Sequence, residues 1–264
     1  MNNMPKVLII GATGEIGSSV FEYLKKKGFE VYGTSRKINK SNHIFKLDIN
    51  DKEYNLHNIN FDMCLFLGGT NNIKECEEKV EECRETNVFN TIRLINYLVK
   101  NDIYVVFLSS NRVFSGSNDL FDKNDKTKSS NNYGRFKIEV ENFIKSYKKN
   151  KAAILRATKV ISEESPIIKK WSYEISQGRE IYAYSNVFIS PISLEKLNKV
   201  IYDIFNTRKH RIYQLGGSRE ISYYQLAKNY FDKNLSSKSK IIPIKLEEKN
   251  SFLLNNIKLK SFIP

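Results

Sequence analysis

A glycine-rich turn near the start of the chain constrains the fold more than any other feature. It follows the apolar run Lys6 to Ile10, typical of a buried strand, and opens the amphipathic segment Ile16 to Lys27, typical of a helix. The turn reads Gly11-Ala12-Thr13-Gly14-Glu15-Ile16-Gly17. The first glycine permits a tight turn, the second lets a pyrophosphate approach the helix amino terminus, and the third allows close packing of helix and strand. The pattern predicts a dinucleotide-binding unit, and a glycine-rich turn without a ligand is the alternative.

Short apolar runs and longer amphipathic segments continue to alternate through about the first 150 residues, and one more strand follows. A long helical stretch is predicted from Ile73 to Lys100, and another helix from Tyr133 to about Lys149. The predicted strands are Phe29 to Gly33, Ile44 to Leu47, Met63 to Leu67, Ile103 to Leu108 and Ala152 to Leu155. Strands that alternate with helices indicate an α/β fold, in which a doubly wound parallel sheet of the Rossmann type is covered on both faces.

The pattern becomes irregular from about Ser162 onward. Short strands (Ile181 to Ala183, Val187 to Ser190, Ile212 to Leu215) and short helices (Leu194 to Phe205, Tyr223 to Phe231) follow one another there. We therefore predict two units, a Rossmann domain over residues 1–161 and a smaller, irregular α/β lobe for substrate over residues 162–264. Some segments of this lobe could return to the Rossmann sheet.

Charge and cysteine content exclude several classes of protein. The 264 residues carry a formal net charge of +14, but the lysines are scattered, so a nucleic-acid partner is not expected. No apolar run approaches 18 residues, so no membrane-spanning helix is predicted. Three cysteines in a chain that starts without a leader read as free thiols, and a cytoplasmic location is expected. The three histidines lie in unrelated segments, so no metal site is predicted.

The end of the second strand indicates which dinucleotide binds. An acidic residue there would bind the ribose of NAD, whereas a basic one would accept the 2′-phosphate of NADP. The strand is followed by Ser35 and Arg36, with no carboxylate, which favours NADP and leaves NAD possible. Arg36 could also be a solvated loop cation. Asp48, after the third strand, could accept a hydrogen bond from the adenine amino group or cap a helix that begins near Asp51.

A tyrosine and a lysine four residues apart provide a candidate for proton transfer. Tyr133 and Lys137 share one face of a predicted helix. We expect the nearby ammonium, together with the positive ring of a cofactor, to lower the pKa of the phenol. Such a pair is common by chance in a chain rich in Tyr and Lys. The hydroxyl-rich segment Leu108-Ser109-Ser110-Asn111-Arg112-Val113-Phe114-Ser115-Gly116 at a strand end strengthens the case, because ligands bind at such ends.

In combination, these motifs resemble the extended short-chain dehydrogenases/reductases. Within that family the chain is most similar to the branch of dTDP-4-dehydrorhamnose reductase and related nucleotide-sugar reductases. The similarity extends over nearly the whole chain and includes Asn87-Val88, Leu155-Arg156, Ser190-Pro191-Ile192 and Tyr213-Gln214-Leu215-Gly216-Gly217. It implies that Ser110 orients the substrate carbonyl, that Tyr133 donates the proton, and that Lys137 holds the nicotinamide ribose and tunes Tyr133.

The resemblance also implies a cofactor and a substrate. The predicted cofactor contacts are Gly11, Thr13, Gly14, Glu15, Ile16, Gly17, Ser35, Arg36, Asp48, Ile49, Leu67, Gly68, Gly69, Tyr133 and Lys137. The implied activity is the NAD(P)-dependent reduction of a keto group on a nucleotide-linked sugar, and the implied assembly is a homodimer. A nucleotide-sugar epimerase and a cofactor-binding regulatory subunit are the alternatives. Asn111 and Arg112 stand where the reductases usually carry an acid and an aromatic residue, which affects the substrate side.

Basic residues of the second lobe are expected to offset the charge of a nucleoside diphosphate. They are Lys169, Lys170, Arg179, Arg208, Lys209 and Arg211. Trp171, beside two of these lysines, is interpreted as an aromatic anchor of the lobe core, with a nucleotide-sugar contact as the alternative.

Overall fold

A parallel sheet of seven strands forms the centre of the molecule. The computed structural model describes residues 4–37, 43–56, 59–115, 120–147, 150–231, 240–247 and 257–264. Its strands are β1 (Lys6–Ile10), β2 (Glu30–Ser35), β3 (Ile44–Lys46), β4 (Met63–Phe66), β5 (Tyr104–Ser110), β6 (Leu120–Phe121), β7 (Ala152–Ala157), β8 (Ile181–Tyr184), β9 (Phe188–Ile189), β10 (Ile212–Leu215), β11 (Ile221–Ser222), β12 (Ile241–Ile244) and β13 (Lys258–Leu259). The sheet has the order β3-β2-β1-β4-β5-β7-β10.

Helices cover both faces of this sheet, as the sequence predicts for a doubly wound fold. They are α1 (Glu15–Lys26), α2 (Ile73–Glu78), α3 (Val80–Arg84), α4 (Thr91–Lys100), α5 (Asn132–Lys145), α6 (Pro166–Ser176), α7 (Leu194–Thr207) and α8 (Tyr223–Phe231). One buried apolar cluster joins the sheet to α1 and α7, and a second joins it to α4 and α5. Within the described ranges, no helix combines the length and apolarity needed to cross a membrane.

The predicted continuous helix from Ile73 to Lys100 is wrong. α2 ends at Glu78, because the backbone of Lys79 (φ −123°, ψ 60°) is not helical, and a π-helical segment (Glu85–Asn90) separates α3 from α4. The buried Asn87 in this segment accepts a hydrogen bond from the Thr70 amide at 2.7 Å and donates one to the Thr70 carbonyl at 2.9 Å. The wider turn thus presents an amide side chain to the loop after β4, a use typical of π-bulges near functional sites.

The segments after residue 162 form a small lobe and also contribute to the main sheet. α6, α8 and the parallel pair β8–β12 enclose an apolar cluster in which Trp171 is 2% exposed and contacts the edge of Phe231. Trp171 is therefore an anchor of the lobe core. β10 pairs with β7 at the edge of the main sheet, and α7 packs on α1. The boundary between residues 161 and 162 stays a prediction.

Candidate active site

The glycine-rich turn leaves the amino terminus of α1 open. Gly14 precedes the helix, and no side chain accepts a hydrogen bond from the first turn. A Cβ atom on Gly17 would lie 2.2 Å from the Gly11 carbonyl oxygen, so only glycine allows this contact between turn and helix. Ile16 packs against the apolar cluster beneath α1. Uncapped amide groups at a helix amino terminus bind anions, so the turn fits the pyrophosphate of a dinucleotide.

A cavity of about 490 Å³ lies beside this turn. It is lined by Thr13, Gly14, Glu15, Ser18, Asn71, Lys159, Glu164, Pro166 and Lys169. The Glu15 carboxylate accepts hydrogen bonds from the hydroxyls of Ser162 at 2.6 Å and Ser165 at 2.5 Å. These bonds hold the glycine turn against the start of the lobe. The cavity therefore has one wall from each part of the chain.

The residues after β2 and β3 lie apart from the glycine turn in sequence but on the same edge of the sheet. Arg36 is exposed, and Ser35 accepts a hydrogen bond from the Lys37 amide. The Asp48 carboxylate accepts a bond from the Asn50 amide at 2.9 Å within a turn. No helix begins near Asp51 in residues 43–56, so the helix-capping alternative for Asp48 is wrong. Its contact with adenine stays a prediction.

The loop after β4 adjoins the glycine turn. A Cβ atom on Gly11 would lie 3.5 Å from that of Leu67, and one on Gly68 would lie 3.3 Å from the side chain of Ile49. Gly69 has a positive φ of 107°. The backbone amide of the next residue, Thr70, donates a hydrogen bond to the Asn87 side chain. The structure thus brings these predicted cofactor contacts to the carboxyl end of β1 and β4, where ligands of doubly wound sheets bind.

The three predicted catalytic residues converge at the end of β5. Ser110 is the last residue of that strand, which runs two residues further than the sequence indicates. Its hydroxyl accepts a hydrogen bond from the Arg112 amide at 3.1 Å and is also hydrogen-bonded to the Tyr133 phenol. The Lys137 ammonium donates a hydrogen bond to the Leu108 carbonyl at 3.0 Å. Gly116, the last residue of the hydroxyl-rich motif, lies outside the described residues.

Two local features fix the start of α5 next to Ser110. The Asn131 side chain caps the helix by accepting a hydrogen bond from the Gly134 amide at 2.8 Å. A Cβ atom on Gly134 would lie 2.0 Å from the Arg112 carbonyl oxygen, so glycine lets the helix approach the turn after β5. The first turn of the helix therefore carries the Tyr133 phenol to the Ser110 hydroxyl.

Burial of the phenol, which the sequence does not reveal, opposes the lowering of its pKa that we expect from Lys137 and a bound cofactor, and that lowering stays a prediction. Burial by surrounding protein atoms raises the pKa of Tyr133 to about 12, against the opposing effects of the Ser110 hydrogen bond and the Arg112 charge. Lys137 lies 5.7 Å from the centre of the phenol ring, and its ammonium is bonded to a backbone carbonyl instead. The phenol is therefore protonated over the whole neutral range, as a proton donor must be.

Burial has the opposite effect on the lysine, because it disfavours the charged ammonium. It lowers the pKa of Lys137 from its ordinary value of 10.5 to about 8, although the Glu141 carboxylate one turn further along α5 raises it. The ammonium also lies 4.5 Å from the centre of the Phe107 ring. Lys137 therefore changes charge close to neutral pH.

This shift predicts a pH-dependent contribution of Lys137 to stability. Between pH 8 and 10.5 the unfolded chain keeps the lysine proton that the folded protein has lost, so the contribution of Lys137 to folding rises with pH. Lys137→Met should remove this rise. Urea unfolding of both proteins across this window should show the stability of the wild type increasing relative to the variant. A difference independent of pH would contradict the shifted pKa.

The sequence did not reveal a buried ion pair behind α5. The Arg156 guanidinium donates two hydrogen bonds to the Glu141 carboxylate, at 2.9 and 2.6 Å, and both side chains are at most 1% exposed. Ser109 donates a third bond to Glu141, at 2.7 Å, and Gln214 accepts one from Arg156. The network ties α5 to β5, β7 and β10. The family resemblance included Arg156 and Gln214, and the hydroxyl-rich segment included Ser109, but neither pattern indicated that these side chains meet Glu141.

Half of the basic residues expected to bind a diphosphate lie at the wrong end of the sheet. Arg208, Lys209 and Arg211 precede β10, and the Lys209 carbonyl accepts a hydrogen bond from Tyr104, the first residue of β5. Because all seven strands are parallel, these cations lie a strand length, roughly 20 Å, from the catalytic hydroxyls. The sequence did not reveal the location of these three cations, because residues 162–264 were all assigned to the lobe, whereas β10 belongs to the main sheet.

The remaining predicted cations lie in the lobe. Lys169 lines the cavity beside the glycine turn and is paired with Glu164 at 2.5 Å. Lys170 and Arg179 line a second cavity of about 510 Å³ next to Trp171. In the part of the chain that the structure describes, no group of three His, Cys, Asp or Glu side chains could hold a metal ion.

Comparisons with known proteins agree with this architecture. The family model described as the RmlD substrate binding domain matches residues 5–253. A comparison with curated proteins gives no match. Among solved structures, dTDP-4-dehydrorhamnose reductase from Bacillus anthracis str. Ames, in complex with NADP, is 20% identical with a TM-score of 0.80; the match covers 93% of this chain and 86% of that chain.

Two further solved structures share the fold. The dTDP-4-dehydrorhamnose reductase from Yersinia enterocolitica is 22% identical with a TM-score of 0.78, covering 97% of this chain and 90% of that chain. MoeE5 in complex with UDP-glucuronic acid and NAD is 16% identical with a TM-score of 0.78. The match covers 98% of this chain and 90% of that chain. At such identities the likeness establishes the doubly wound fold.

Proposed function

The chain belongs to the RmlD substrate binding domain family, and from this premise we propose that it is an NAD(P)-dependent oxidoreductase that reduces a keto group of a nucleotide-linked sugar. The observation that carries the proposal is the convergence of Ser110, Tyr133 and Lys137 at the carboxyl end of β5. Solved structures of the same fold are described as complexes with NADP, or with UDP-glucuronic acid and NAD.

Each of the three side chains has a distinct task in this proposal. The Ser110 hydroxyl orients the substrate carbonyl, and the Tyr133 phenol donates its proton to the carbonyl oxygen as negative charge develops there. Lys137 binds the nicotinamide ribose, and its charge stabilises the phenolate that remains. The nicotinamide cofactor supplies the hydride when bound.

The cofactor is held by the glycine turn and the loops after β2, β3 and β4. The uncapped first turn of α1 would bind the pyrophosphate, and Asp48 the adenine. Arg36 and Ser35 would meet the 2′-phosphate, which favours NADP over NAD. The lobe over residues 162–264 would hold the nucleotide sugar. A cytoplasmic location and a homodimer remain predictions.

Reversing the charge at Arg36 should change the choice of cofactor. A charge-assisted hydrogen bond contributes about 1.5–3 kcal/mol, so we expect NADPH to bind roughly ten- to hundredfold more tightly than NADH. Arg36→Asp should abolish this preference, whereas Lys26→Asp, an exposed charge at the far end of α1, should retain it. Fluorescence titration measures both affinities. Equal affinities in the wild-type protein would show that this loop does not bind a phosphate.

Turnover separates the proposed reductase from a regulatory subunit. Purified protein would be incubated with NADPH and a panel of UDP-, GDP- and dTDP-linked 4-keto sugars, and cofactor oxidation and product followed together. We expect NADPH oxidation coupled to reduction of the sugar for at least one of these nucleotide-linked sugars. Tight cofactor binding without turnover on any of them would favour a regulatory role.

A further inference from the structure

We propose that Asn111 is a positioning residue, whose side-chain amide connects the Ser110 hydroxyl to residues 257–264 and so orients that hydroxyl for a substrate carbonyl. The inference rests on the proposed function, in which Ser110 orients the carbonyl, and it adds a residue that acts through Ser110. Asn111 belongs neither to the predicted catalytic set nor to the predicted cofactor contacts, and it stands at one of the two positions where the sequence departs from the related reductases.

The Asn111 side chain forms hydrogen bonds in two directions. Its oxygen accepts a bond from the Ser110 hydroxyl at 3.3 Å, and its nitrogen donates one to the Ile257 carbonyl at 2.7 Å. Because a carbonyl oxygen can only accept, the bond to Ile257 fixes which end of the amide faces that residue. The oxygen of the amide must therefore face Ser110.

The neighbours of the Ser110 hydroxyl give its hydrogen a defined direction. The Arg112 amide donates a hydrogen bond to the Ser110 oxygen at 3.1 Å, and the hydroxyl has one hydrogen to donate in turn. That hydrogen points to the Asn111 oxygen. The two bonds keep the Ser110 oxygen in one place at the end of β5, where we expect the substrate carbonyl.

Residues 257–264 are anchored to the main sheet at β10 and, through β13, to β6. Phe262 exchanges two backbone hydrogen bonds with Gln214 of β10, at 2.9 and 2.8 Å. A Cβ atom on Gly216 would lie 2.1 Å from the Leu259 carbonyl oxygen, so glycine lets the segment approach the end of that strand. The segment is thus held independently of Asn111 and can serve as a fixed support for it.

The same segment packs against the turn that follows β5. Ile257 and Leu259 share a buried apolar cluster with Val113, Phe114 and Phe121. Ile257 is 2% exposed, and a buried carbonyl without a hydrogen-bond donor is costly. Loss of the Asn111 amide should therefore loosen this end of the segment.

An amide performs this task at position 111 better than a carboxylate would. An ionised carboxylate has no hydrogen to donate to the Ile257 carbonyl and would repel it. It would also hold the Ser110 hydrogen more strongly, because hydrogen bonds to charged acceptors are roughly twice as strong as those to neutral ones. During the reaction this hydrogen must turn to the substrate carbonyl, so a neutral amide oxygen releases it at a lower cost.

Kinetics of Asn111 variants in two backgrounds test whether the residue acts through Ser110. Asn111→Ala should lower kcat for a nucleotide-linked keto sugar by about tenfold, with little change in the affinity for NADPH. When Ser110→Ala is already present, adding Asn111→Ala should lower kcat no further. Single-turnover assays extend the measurement to slow variants. Asn111→Asp should also lower kcat, whereas Asn124→Asp, at an exposed residue after β6, should leave it unchanged.

Hydrogen exchange measures the contact with residues 257–264 without the need for turnover. In Asn111→Ala and Asn111→Asp, the amides of this segment should exchange about three- to tenfold faster, as expected for the loss of one hydrogen bond. Ser110→Ala should leave their exchange unchanged, because the bond from Asn111 to Ile257 remains.

Three results would overturn the inference. Wild-type kcat in Asn111→Ala would show that Ser110 needs no such support. An equal loss of kcat from Asn111→Ala with and without Ser110 would indicate a role independent of that hydroxyl. Unchanged exchange in both Asn111 variants would show that Asn111 does not hold the segment. Each of these leaves the proposed function standing, whereas wild-type protein without turnover on any nucleotide sugar would refute the proposed function and this inference together.

Discussion

Replacing Tyr133 with phenylalanine should lower kcat by about 10²–10⁴, the usual contribution of a positioned general acid. The substitution removes the proton donor and its hydrogen bond to Ser110 but keeps the ring that packs with Cys76, Val88 and Phe136. The fold should therefore survive, and the protein should still bind NADPH. Steady-state kinetics, circular dichroism and cofactor titration of the same preparation measure the three quantities.

Tyr147→Phe is the matched control for this experiment. Its hydroxyl lies 3.4 Å from the Asn96 side chain, away from Ser110 and Lys137, so the same loss of oxygen should leave kcat unchanged. A Tyr133→Phe protein with wild-type turnover would contradict the role of the phenol. A similar loss in both variants would indicate a general effect of removing a tyrosine hydroxyl on this side of the sheet.

The parts of the molecule that sequence reasoning predicted correctly depend on local patterns. The turn from Gly11 to Gly17 predicts its own geometry, because the close approach of Gly17 to the Gly11 carbonyl involves residues of one short segment. The alternation of strands and helices is likewise predicted from the spacing of apolar residues within short segments. The candidate pair Tyr133 and Lys137 was identified because both lie on one helix, whereas Ser110 was identified from the hydroxyl-rich segment and the family resemblance, and the catalytic roles of all three stay predictions.

Features that depend on distant contacts were missed or misplaced. The stretch from Ile73 to Lys100 is interrupted at Lys79 and again by a π-helical segment, in which Asn87 bonds the backbone of Thr70, and nothing in the helical pattern indicates that partner. Likewise, the raised pKa of Tyr133 results from burial by several segments that only the fold brings together. The charge of Arg112 affects the phenol, whereas the ammonium of Lys137, expected to do so, is bonded to Leu108.

The Glu141–Arg156 pair leads to the second large effect, on stability. Removing one member leaves the other charge buried without its partner, which costs about 3–5 kcal/mol. Glu141→Leu and Arg156→Met should each lower the free energy of unfolding by this amount. The double variant should lose less than the sum of the two, because neither unpaired charge remains. Urea unfolding of the four proteins gives the coupling energy, and strictly additive losses would show that the pair does not act as a unit.

Replacing Glu141 should also affect catalysis, because its carboxylate raises the pKa of Lys137 from four residues away on α5. Without that carboxylate a larger fraction of Lys137 is neutral at pH 8, so Glu141→Gln should move the alkaline limit of kcat to lower pH. The amide keeps the length of the side chain and can still bond Ser109 through its oxygen. A loss of stability without movement of the pH limit would restrict Glu141 to holding the helix. Movement of the limit would make it a positioning residue that acts on the reaction through Lys137.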